Sequence, residues 1–75
     1  RFYGTVELDP GRAVLKAGDI IQNVVQHLKD EQNANVSVTI DIYAEIPEGA
    51  EEKTIRTVTE NCRVLKFKEF GFEED

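Results

Sequence analysis

His27 and Cys62 are the side chains best suited to nucleophilic, acid–base or metal chemistry, and the sequence holds one of each. A structural zinc site takes four nitrogen or sulfur ligands, so a site within one chain is not expected; ligation shared between copies in an oligomer stays open. His27 sits beside Leu28 near the end of an expected helix, where a positive imidazole suits the helix dipole. Cys62 falls on an apolar face with Val58 and Leu65. A reactive thiol needs a neighbouring base, none lies nearby in sequence, and the expectation is a buried, inert cysteine.

Carboxylates offer a second route to chemistry. Asp41 and Glu45 share one face of an expected strand with Tyr43 between them, and Glu7 joins them from an earlier segment. Four residues along a strand span about 13 Å, too far for a glycosidase-type pair, so a solvated face is expected. Neither a GxxxxGK[ST] phosphate loop nor a GxGxxG fingerprint is present. Arg63, Lys66 and Lys68 interleave with Phe67 and Phe70, an arrangement able to combine phosphate contact with base stacking. Glu69 and the acidic end Glu73, Glu74, Asp75 dilute it, and a formal net charge of −6 argues against a nucleic-acid surface.

The elements that must position these groups follow from periodicity. Phe2, Gly4, Val6 and Leu8 alternate with Tyr3, Thr5 and Glu7, the period of a half-buried strand. Asp9, Pro10 and Gly11 end it, either as a turn or as a helix start with Asp9 as cap and Pro10 at the first helical position. Ala13, Val14, Ala17, Ile20, Ile21, Val24, Val25 and Leu28 then follow the three-and-four spacing of one helical face. Gly18 costs that helix about 1 kcal/mol relative to Ala, and either admits a neighbouring backbone or marks a weak spot. Val36, Val38, Ile40, Ile42, Ala44 and Ile46 alternate with Ser37, Thr39, Asp41, Tyr43 and Glu45, predicting an unusually long strand. Pro47 and Gly49 break it. Glu48, Glu51 and Glu52 suit the start of a second helix whose face carries Ala50, Ile55, Val58, Cys62 and Leu65, with Arg63 and Lys66 in its last turn. Phe67, Phe70 and Phe72 read either as a short third strand or as an irregular aromatic tail, with the tail favoured.

The order strand, helix, strand, helix predicts a two-layer α/β or α+β domain, two main strands with both helices packed on one face. At 75 residues the chain has room for one domain, 1–75, which buries only roughly 60% of the surface its unfolded chain exposes. Residues 68–75 read as an acidic tail and a candidate for disorder. The start at Arg1 and the absence of methionine predict a piece of a larger protein. No stretch approaches the roughly 18 apolar residues that cross a bilayer, one cysteine forms no internal disulfide, and no signal peptide is visible, so no membrane partner and a cytoplasmic location are expected.

Three segments, RFYGTVELDPGRA, VTIDIYAEIPEG and RTVTENCRVLKFKEFGFEE, together resemble the C-terminal region of a family of large predicted AAA-type ATPases of bacteria and archaea. Members lie near DNA methyltransferases in clusters that look like restriction or phage-defence systems. The resemblance spans nearly the whole chain, and Arg56 to Arg63 match its most distinctive stretch. It implies an accessory domain following an ATPase core that holds ATP and Mg upstream, with no cofactor, metal or catalytic residue in this piece. The leading expectation is a non-catalytic protein-interaction or oligomerisation module that binds the remainder of the ATPase or a second copy. A nucleic-acid accessory domain and a small-ligand regulatory domain are the alternatives. Residues expected to meet a partner are Tyr3, Thr5, Asp41 and Tyr43 on the polar sheet face, the cluster Thr59, Glu60 and Asn61, and the basic group Arg63, Lys66 and Lys68.

Overall fold

A computed structural model describes residues 1–73. The chain divides into two units, Arg1–Ile40 and Asp41–Asp75, each built around one helix.

In the first unit, Asp9 acts as a cap. Its backbone is extended, its Oδ1 accepts from the Gly11 N–H at 3.1 Å, and Pro10 takes the first helical position, where a missing N–H costs nothing. A 3-10 turn, Pro10–Arg12, leads into an α-helix, Ala13–Ile20, then a π-helical segment, Ile21–Val25, and a last α-helical turn, Gln26–Lys29. These run on as one helix, α1. Five-residue hydrogen bonding is rare because it widens the helix, and here the Gln26 N–H reaches the Ile21 carbonyl. Asn23 Nδ2 donates to the Asp19 carbonyl at 2.9 Å, a side-chain bond inserted where the helix changes pitch. Beyond α1 the chain reverses through Asn33, whose φ of 62° is one that asparagine tolerates.

Half-buried residues of this unit are Leu8, Ala13, Ala17, Ile20, Val25 and Leu28, whereas Val14, Ile21 and Val24 of the expected helical face are exposed. Gly18 has nothing within 4 Å of the position a Cβ would take, so it marks a weak spot and not a close approach of backbones.

The second unit carries helix α2, Glu52–Val64. Ile46, Pro47, Glu48 and Gly49 form a turn closed by the Gly49 N–H on the Ile46 carbonyl at 2.9 Å, with Gly49 at φ 79°. Proline at the second position and glycine at the fourth are the residues such a turn favours. Ile55, Thr59 and Cys62 form the inward face of α2, and Ala50 is half-buried just before it, whereas Val58 and Leu65, expected on that face, are 42% and 70% exposed. Cys62, 8% exposed, is the one buried residue among those described. A Schellman motif closes the helix: the Phe67 N–H reaches the Cys62 carbonyl at 2.9 Å and the Lys66 N–H reaches that of Arg63 at 3.1 Å. The left-handed position of this motif belongs to Lys66, at φ 63°, where glycine is usual.

The expected two-layer α/β fold is wrong. Among the described residues there is no strand and no sheet, and the regular structure is helical. Neither Phe2–Leu8 nor Val36–Ile46 pairs as a strand with another segment, and the described part of the aromatic tail forms no third strand. The reason lies in what alternation encodes. Side chains of Phe2–Leu8 do alternate: the Phe2 ring lies over Gly4, 2.8 Å from where a Cβ would stand, and Thr5 Oγ1 donates to Tyr3 Oη at 3.3 Å. Both are contacts between residues two apart, as an extended backbone requires. A strand needs in addition a second backbone at hydrogen-bonding distance, which alternation does not supply.

Two predictions follow from the helices. Gly18→Ala raises stability by about 1 kcal/mol, because the methyl meets open space and alanine is the better helix former. Lys66→Gly relieves a left-handed lysine and raises it by about 1 kcal/mol while leaving the Schellman bonds in place. Urea unfolding followed by far-UV circular dichroism checks both.

Candidate functional site

The residues expected to meet a partner separate into local groups. Tyr3 and Thr5 stand together in the first unit, joined by their hydroxyls, and Tyr3 is 90% exposed. Asp41 and Tyr43 lie in the second unit within a segment of no regular structure, with Tyr43 88% exposed. In α2, Thr59 points to the inward side one turn before Cys62, while Glu60, Asn61 and Arg63 are exposed. Thr59 therefore belongs to local packing, and the outward face of the cluster reduces to Glu60 and Asn61. Lys66 and Lys68 follow the helix end and are exposed. Of the acidic tail 68–75, Glu74 and Asp75 lie outside the described residues.

Phe67 and Phe70, the aromatic partners of the basic group, are turned on one another edge to face, with ring centroids 6.4 Å apart and planes at 87°. That geometry suits an aromatic pair. It leaves no parallel platform of the two rings for successive bases.

His27 lies exposed in the last turn of α1, where a positive charge suits the carbonyl end of the helix. Cys62 is a free thiol. Among the described residues no group of three or more His, Cys, Asp or Glu is placed to hold a metal ion, and no helix is long and apolar enough to cross a membrane.

Sequence reasoning did not single out a groove in the first unit, about 460 Å³ in volume and wide open, lined by Val25, Lys29, Ala34, Asn35, Val36 and Val38. It forms where the end of α1 meets the chain returning through Asn33. Val36 and Val38 in its wall begin the alternating segment. Along the alternating segment Val38 is 63% exposed and Ile40 80%, and in the second unit Ile42 is 72% exposed. No backbone hydrogen bond links Val36 to Glu45 with another segment among the described residues. The signal for this site was present as the cleanest alternation in the sequence, and its meaning changes from sheet core to open surface.

Comparison of the chain with family profiles, with curated proteins and with solved structures finds no match.

Asp9 is the residue on which α1 entry depends. Asp9→Ala removes the acceptor for the Gly11 N–H and lowers stability by about 1 kcal/mol, whereas Asp9→Ser retains most of it. Thermal unfolding of the two variants side by side checks this.

Proposed function

We propose that this chain is a non-catalytic association module, whose apolar surfaces are completed by another polypeptide and whose own residues carry no reaction. The observation that supports this reading is the exposure of Val38 and Ile40 at an open groove of the first unit, and of Ile42 in the second, in a chain with a single buried residue among those described. Apolar surface left in water forfeits roughly 25 cal/mol per Å², and soluble monomers rarely keep such residues contiguous and uncovered. A partner covering them recovers that free energy, which gives association its driving force.

The resemblance of the three sequence segments to the C-terminal region of AAA-type ATPases supports a parent in which ATP and Mg are held by the core and this piece makes contacts. The nucleic-acid reading draws on Arg63, Lys66 and Lys68 alone. It has less support, because the net charge is −6 and Phe67 and Phe70 face each other.

The test is analytical ultracentrifugation of the chain over a wide concentration range, alone and mixed with an ATPase core from the family it resembles. The reading predicts self-association or a complex with the core, weakened about tenfold or more by Ile42→Lys, which places a charge on the face to be buried. A species that stays monomeric throughout and does not bind the core contradicts it.

A further inference from the structure

We propose that the π-helical segment Ile21–Val25 is a register switch in α1, one that exchanges Val25 and Lys29 for Val24 and Leu28 in the wall of the groove. The switch is a property of the single chain and does not depend on association.

The half-buried residues of α1 change phase at this segment. Ala13, Ala17 and Ile20 follow three-and-four spacing, and Val25 and Leu28 resume it, but Ile20 and Val25 are five apart. In an α-helix five residues turn about 140° past a full circle, which puts the two on different faces. In the wider turn the Gln26 N–H reaches back five residues to the Ile21 carbonyl, and positions five apart stack as positions four apart do in an α-helix. The segment therefore acts as one extra residue in an otherwise α-helical run. The groove shows the resulting phase independently: Val25 and Lys29, four apart on one face, line it together, and Val24 and Leu28 do not.

The same residues also support the other register. Two adjacent apolar pairs, Ile20 with Ile21 and Val24 with Val25, offer an aliphatic side chain in either phase. A continuous α-helix sets Ala17, Ile21, Val24 and Leu28 along one stripe at four-three-four spacing. Ile21 and Val24 are now 48% and 38% exposed, at the edge of the covered side. Returning the Gln26 N–H to the Gln22 carbonyl turns Gln26–Lys29 by about 100° relative to Ala13–Ile20. That rotation takes Val25 and Lys29 off the groove and brings Val24 and Leu28 to it, so the register decides whether the wall presents an ammonium group or two aliphatic side chains.

Little separates the two states in the backbone. Ile20, Val25 and Gln26 all keep ordinary α-helical dihedrals, and the exchange is a step of one residue in hydrogen-bond partner. The Asn23 side chain favours the π register, because its Nδ2 supplies a donor to the Asp19 carbonyl in the turn that enters the wide segment.

Couplings between amide nitrogen and carbonyl carbon across hydrogen bonds, measured by NMR on the isotope-labelled full chain, read the register directly. The unaltered chain is expected to couple the Gln26 amide to the Ile21 carbonyl. Asn23→Ala removes the side-chain donor and shifts the π-to-α ratio about fivefold toward α. The shift is seen as a weaker Gln26 to Ile21 coupling, a new one from Gln26 to Gln22, and new nuclear Overhauser contacts from Leu28 to Val36 and Val38. Deletion of Asn23 takes out the extra residue, and is expected to give a continuous α-helix with Val25 and Lys29 still at the groove and a higher unfolding temperature. A Gln26 amide bonded to Gln22 in the unaltered chain overturns the π register. An unchanged Gln26 to Ile21 coupling in Asn23→Ala overturns the switch, and a deletion variant that loses helicity overturns the one-residue account.

Discussion

Every N–H and C=O along Val36–Glu45 meets either water or another segment, and that choice governs where the side chains between them end. An extended segment cannot bond to itself as a helix does. Its carbonyls and amides point sideways, so burial of Ile40 or Ile42 from water requires a neighbouring backbone or a covering surface to arrive with it. In the single chain none arrives, and Ile40 remains 80% exposed. The open groove at Val25, Val36 and Val38 and the exposed face that follows both trace to this one unmet requirement.

The helices show the contrast. Helix α1 satisfies its amides from its own carbonyls, starts on the Asp9 cap, and absorbs a change of pitch with the Asn23 side chain on the Asp19 carbonyl. Helix α2 closes on a Schellman motif whose bonds outweigh the strain of a left-handed Lys66. Both elements are locally complete. Their apolar faces are only half covered, and Cys62 alone is buried among the described residues, because helices satisfied at the backbone still need partners for their side chains.

This difference explains what was legible in the sequence. The helices through Ala13–Leu28 and Ile55–Cys62 were readable because three-and-four spacing reports a structure that carries its own hydrogen bonds, although Val14, Ile21, Val24, Val58 and Leu65 of their expected faces are exposed. The Asp9–Pro10 start was readable as one of two options. The π-helical turn at Ile21–Val25 has no residue signature, and Lys66 in the position glycine prefers gave no warning of a cap. Alternation in Phe2–Leu8 and Val36–Ile46 was read as a sheet. It encodes the facing of side chains, which the Tyr3–Thr5 hydroxyl pair preserves, and not the pairing partner. Of the residues expected to form one surface, Tyr3 with Thr5 and Glu60 with Asn61 form local exposed groups, and Thr59 turns inward, since linear patterning does not carry the placement of separate segments in space.

Amide hydrogen exchange along Val36–Ile46, followed as a function of protein concentration, tests most directly whether another chain completes this segment. Fast exchange at high dilution is expected, with protection that grows in step with association. Protection that is already complete at high dilution, or none at any concentration with or without the proposed ATPase core, would contradict it.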